Sequence, residues 1–103
     1  MKHVIMRYKA RKDKVEAVKK ALADYVDSVR GHEPYTVCEG FAEGEDGFMH
    51  MTAFRDAKSE RLHNEAGYTN RFFDLLYQSC TEQPATTEIR LVRSSRPEHR
   101  EKW

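Results

Sequence analysis

The sequence predicts a ferredoxin-like α+β domain, an antiparallel sheet with helices on one face, in the order β-α-β-β-α-α-β. Two observations carry that expectation. Apolar residues alternate with period two in four short segments, and they recur at spacings of three and four between those segments. Glycine or proline then punctuates the joints. At 103 residues the chain fits one domain with a thin core. The domain is expected over residues 1–93. A charged, aperiodic tail at 94–103 is expected to be loose or to cross to a partner.

The first strand is expected over residues 2–10, with Val4, Met6 and Tyr8 on one face and His3, Ile5, Arg7 and Lys9 on the other. Asp13 stands three residues before Glu16, the spacing of a capping box. Helix one then carries Val15, Val18, Leu22, Tyr25, Val26 and Val29 as a single apolar stripe. Gly31 is read as its left-handed stop, and Pro34 bars continuation.

Strand two spans 35–43, with Tyr35, Val37, Glu39 and Phe41 sharing a face. The polar turn 43–47 makes a hairpin to strand three, Gly47 to Arg55. There Phe48, His50, Thr52 and Phe54 share one face, and Met49, Met51 and Ala53 share the other, so both faces are expected to be covered. Asp56 is the expected N-cap of a second helix, roughly 57–66, which Gly67 should stop. Thr69 or Asn70 should cap a third helix that carries Phe72, Phe73, Leu75, Leu76 and Cys80. Strand four is expected over 86–93.

Helices on one face leave apolar side chains on the other, and an uncovered apolar sheet is a liability. A homodimer packed through the open sheet face is therefore expected. Composition limits the other partners. Acidic and basic residues number 17 and 18 and are interspersed, for a net charge of +1, which argues against nucleic acid. The longest apolar run is Val4-Ile5-Met6, too short for a membrane span, and no signal-peptide core opens the chain. A cytoplasmic protein without a membrane partner is the expectation. Cys38 and Cys80 form no CxxC motif and are read as reduced thiols.

Three stretches together resemble the antibiotic biosynthesis monooxygenase (ABM) domain family of the dimeric α+β barrel superfamily. They are Val4 to His32 with the exit His32-Glu33-Pro34, then Ala53-Phe54-Arg55-Asp56-Ala57, then Leu62-His63 before an aromatic-rich helix. The resemblance spans residues 3–92 and implies a pocket between sheet and helices. Some members oxygenate polyphenols, anthrones or quinols with molecular oxygen and neither metal nor flavin. Others degrade haem or isomerise small metabolites, and some have no known activity. The oxygenases typically carry an Asn and a Trp four residues apart on strand three; His50 and Phe54 occupy those positions here. The haem-degrading branch typically has an Asn on strand one, which this chain lacks.

His50 and His63 are accordingly the candidate catalytic residues, and histidine suits proton transfer near neutral pH. Phe54 and Phe72, with Phe73, could wall a planar ligand, while Tyr25 and Tyr68 could donate hydrogen bonds and Arg71 could hold an anion. Each of these residues also has a plain packing or surface role available. No metal site is expected, because His32-Glu33 lacks the second histidine of a zincin helix. Glycines 40, 44 and 47 form no phosphate loop, and there is no nucleophile elbow. The leading expectation is a cofactor-independent monooxygenase that acts on a small aromatic or quinol-like substrate. The alternatives are a non-oxidative isomerase or dehydratase of a small metabolite, and a non-enzymatic dimeric ligand-binding module.

Overall fold

The computed structural model describes residues 1–96, so residues 97–103 of the expected tail lie outside the described part. The elements run β1 (Lys2–Lys9), a single 3-10 turn (Lys12–Lys14), α1 (Val15–His32), β2 (Thr36–Glu43) and β3 (Gly47–Phe54). They continue with α2 (Ala57–Glu65), α3 (Gly67–Ser79) and β4 (Ala85–Ile89). The sheet order is β2-β3-β1-β4 with every pairing antiparallel. This is the ferredoxin-like arrangement: each helical crossover skips one strand, with β3 between β1 and β2 and β1 between β3 and β4.

Register fixes which side chains meet. Val4 lies opposite Thr52, Met6 opposite His50 and Tyr8 opposite Phe48, while Cys38 of β2 lies opposite Thr52. Because side chains alternate along a strand, these residues share one face of the sheet. That face packs against the apolar stripe of α1, where Val18, Leu22, Tyr25 and Val29 are buried, and against Phe72 and Leu76 of α3. Gly40 lets α1 sit close, since a Cβ there would come within 2.8 Å of Leu22 Cγ. Gly44 turns the hairpin at φ 68°, the left-handed region glycine tolerates best.

The helix ends differ from the sequence reading in four places. Asp13 caps nothing, because it falls inside the 3-10 turn, and no side chain bonds to the first amides of α1. Gly31 does not stop α1, which runs to His32 with the Glu33 amide closing on the Val29 carbonyl. Pro34, which can neither donate nor continue the helix, supplies the stop. Gly67 does not end α2; it opens α3, with Ala66 in extended conformation as the joint. Thr69 and Asn70 consequently lie inside α3 and cap nothing. Asp56 does cap α2, its Oδ1 accepting from the Ser59 amide at 2.9 Å and the Ser59 hydroxyl at 2.8 Å. Strand four stops at Ile89 and is shorter than expected.

On the outer face Val37 and Phe41 are exposed, and Ile5, Met49 and Met51 are partly so. The helices therefore leave that face only partly covered. Among the described residues no helix is long and apolar enough to cross a membrane.

Candidate active site

Between the sheet and the α2–α3 pair lies a cavity of about 310 Å³. Val4, Met6, His50, Thr52 and Phe54 line it from the sheet. Tyr25 enters from α1, His63 and Asn64 from α2, and Phe73 from α3. Lys2, Glu60, Thr86 and Glu88 complete the lining, and the Lys2 ammonium bridges to Glu60 at 2.7 Å, tying β1 to α2. The walls are apolar and aromatic, with a few convergent polar groups, as in small-molecule sites generally.

His63 is held from both sides. Its Nδ1 stands 3.0 Å from each oxygen of Glu33, and its Nε2 stands 2.6 Å from the Tyr25 hydroxyl. A carboxylate only accepts, so the ring proton belongs on Nδ1 and Nε2 is left as an acceptor. The Tyr25 hydroxyl then donates to Nε2, while Thr52 also hydrogen-bonds to Tyr25, which leaves one lone pair on its oxygen. Burial raises the Tyr25 pKa, which keeps that proton on oxygen. Tyr68 donates to the second Glu33 oxygen, so the carboxylate is buried but well supplied with donors.

His50 is wired in the opposite sense. The Tyr8 hydroxyl meets its Nδ1 at 2.9 Å. Tyr8 is buried and its pKa is raised by burial, so its proton needs an acceptor, and Nδ1 is the one in reach. The other ring nitrogen, Nε2, then carries the proton and is a donor. Burial, with the nearby His63 ring adding to it, lowers the His50 pKa to about 4. The sequence reading of a base near neutrality at this position does not hold; His50 is a neutral imidazole, because its pocket disfavours the charged form.

Aromatic rings fix the geometry around both histidines. Tyr25 stacks on Phe72 at 4.4 Å between centroids and 9° between planes. The Phe73 ring lies 6.4 Å from His50, and Phe54 lies 5.2 Å from His63. Among the described residues no group of three or more His, Cys, Asp or Glu side chains is gathered to hold a metal ion.

Of the residues singled out from the sequence, His50, His63, Phe54 and Tyr25 come together on the cavity. Phe72 stands behind Tyr25 without lining it. Tyr68 lies on the far side of the network, bonded to Glu33. Arg71 lines a separate groove between α1 and α3 and does not reach the cavity. Leu62 is 58% exposed while its neighbour His63 is buried.

Two residues were missed as members of the site. Glu33 carried a signal: Tyr25, Val29 and Glu33 are spaced four apart, so the acid extends the buried stripe of α1. Tyr8 was visible only through strand register, which places it diagonally from His50.

No family model and no curated protein matches the sequence. Solved structures do match. An antibiotic biosynthesis monooxygenase aligns at TM-score 0.79 and 17% identity, over 90% of this chain and all of its own. Rv0793 from Mycobacterium tuberculosis aligns at TM-score 0.82 and 14% identity, over 92% of this chain and 98% of that one. A Nitrosomonas europaea protein provisionally named an antibiotic biosynthesis monooxygenase aligns at 0.79 and 21%, over 90% of this chain and 100% of its own. At such identities the likeness establishes a shared fold.

Proposed function

We propose that this chain is an ABM-type, cofactor-independent monooxygenase acting on a small aromatic or quinol-like substrate with molecular oxygen. One observation carries the reading: two buried histidines of opposite hydrogen-bond polarity border one aromatic-walled cavity. His63, oriented by Glu33, is the proton acceptor. His50, neutral and carrying its proton on Nε2, is the donor that stabilises the oxyanion or peroxide formed next. Phe54 and Phe73 clamp the ring plane. Phe72 backs Tyr25, and Tyr68 supports Glu33.

The deprotonated substrate reduces oxygen directly. One oxygen atom ends on carbon and the other leaves as water, and the substrate carbon itself supplies all the electrons. The low dielectric of the cavity strengthens each hydrogen bond to the developing charge. The names of the fold neighbours support this reading at the level of class. In the same reading the protein is a cytoplasmic homodimer joined through the outer sheet face, which leaves the helix-side cavity free.

Oxygen consumption tests it. Purified protein, stripped of metal and without added cofactor, is mixed with anthrones, dihydroxynaphthalenes and quinols. Uptake above the buffer rate is expected, falling about a hundredfold in His63→Ala and in His50→Ala. Substrate turnover without oxygen uptake would instead identify an isomerase or dehydratase using the same donor–acceptor pair. Binding without turnover would leave a ligand-binding module.

A further inference from the structure

Glu33 lines a second opening. It belongs to a cavity of about 170 Å³ on the other side of α2, together with His32, Thr36, Arg55, Ser59 and Leu62. No residue lines both this cavity and the one that holds His50, His63 and Tyr25. The chain of hydrogen bonds Tyr25–His63–Glu33 passes from one cavity to the other. Thr36, whose buried hydroxyl has no partner among the described residues, belongs to the same lining as Glu33. Together the two offer a water the polar contacts it needs.

We propose that Tyr25, His63 and Glu33 form a proton relay that drains the substrate cavity into this second opening, with Tyr25 as the group in contact with the substrate hydroxyl. This rests on the reading of the first cavity as a substrate pocket, and it deepens that reading. The substrate O–H donates to the Tyr25 oxygen at the lone pair that Thr52 does not occupy. Tyr25 passes its own proton to His63 Nε2, and the Nδ1 proton moves to Glu33. Each O–H or N–H bond that breaks is replaced by one formed on the next atom, so the substrate is left as its anion and the surplus proton sits on Glu33. Water in the second opening carries it away and leaves the ring as the Nε2–H tautomer; a proton that returns along the same path, from water through Glu33 to Nδ1 and from Nε2 through Tyr25 to the oxyanion formed later in the turnover, restores Nδ1–H. The groups facing His63 are consistent with this direction: Tyr25 from α1, Glu33 beyond its end, and the rings of Phe54 and His50 from β3. Tyr68 from α3 faces Glu33 and holds its second oxygen. Glu33 is thus a positioning and relay residue, set apart from the substrate.

The relay makes a function out of two separate openings. Substrate can fill the first without trapping the proton it has lost, because departure does not share the entrance. Proton transfer along such a short, preformed path needs no side-chain rotation, since both nitrogens of His63 are already bonded.

The test uses the full chain and 4-nitrophenol, whose phenolate absorbs in the visible while the phenol does not. At saturation, and at a pH where the free probe is mostly neutral, the bound probe is expected as phenolate. Tyr25→Phe and Glu33→Gln should each cut the ratio of bound phenolate to bound phenol about tenfold, the effect of one pKa unit, and Glu33→Asp should restore part of it. An unchanged fraction in Tyr25→Phe or Glu33→Gln overturns the relay. Leu62→Trp, which fills the second opening, should leave the fraction unchanged and slow proton appearance in solution several-fold, followed with a pH dye after rapid mixing. An unchanged release rate overturns the exit. Nitrogen-15 histidine spectra of the unmutated protein need no variant to fold: His63 should carry its proton on Nδ1, and a proton on Nε2 overturns the relay outright. A probe that fails to bind overturns the pocket reading and the relay with it; a probe that binds with unchanged ionisation overturns the relay alone.

Discussion

Tyr8 and His50 show how a strand pair can set the charge of a histidine. Cross-strand register brings the tyrosine hydroxyl to Nδ1, and the surrounding rings exclude water. The folded-state pKa of about 4 lies below the ordinary 6.5. Between these values the unfolded chain binds a proton that the folded one refuses, so folding stability rises with pH. The contribution is whole above about pH 6.5 and is lost as pH falls toward about 4, on the order of 3 kcal/mol. Urea unfolding at pH values on either side of this window should show the loss in the natural protein, and His50→Asn should show a shallower dependence. His50 was legible as a candidate because it interrupts an apolar face of β3. Its protonation state was not, because that depends on Tyr8 and on burial, which only the assembled sheet supplies.

At the scale of elements, the caps separate what local sequence decides from what tertiary packing decides. Asp56 holds its expected place at the start of α2, since an acid before Ala57-Lys58-Ser59 has two donors of its own turn to accept from. Those bonds from Ser59, the backbone amide first, lower its pKa below the usual 3.8. A lowered acid stabilises the fold above its unfolded pKa, and the benefit is lost as pH falls through the folded value. Asp56→Ala should therefore lower the thermal midpoint by a few degrees at neutral pH, and the difference should close in acid, as read by circular dichroism. The Asp13 box and the Gly31 and Gly67 stops failed for a common reason. Each was a permissive signal, and the chain at that point was governed by something else: a 3-10 turn, the docking of α1 as far as Glu33, and the abrupt α2–α3 joint at Ala66. Strand and helix periods were legible because burial of one face enforces them along the whole element. The acid at the end of that period, Glu33, shows that a polar residue on a buried stripe is itself a signal.

For the whole molecule, the sheet divides the labour. One face carries the helices, the cavity and the histidines; the other presents Phe41, Met49 and Met51, with Ile5 of β1 opposite Met51. A second copy packed there would remove this apolar surface from water at roughly 25 cal/mol per Å². Met51→Lys is expected to convert a dimer into a monomer in sedimentation velocity while leaving the helical spectrum unchanged; a variant that sediments like the parent would exclude this face as the interface. The same division has a mechanical side, visible at Gly40. This residue sits across the sheet from His50, directly beneath Leu22, and Tyr25 follows three residues later on the same face of α1. Adding a methyl group would wedge the helix away from the sheet, at about 2 kcal/mol of overpacking. It should also stretch the 2.6 Å bond between Tyr25 and His63. Gly40→Ala is thus expected to cost more turnover than stability, separable by comparing kcat with the urea midpoint. The bare backbone at position 40 acts as the shim gap of the machine: its clearance sets how far the tyrosine reaches, and so the tolerance to which the chemistry is built.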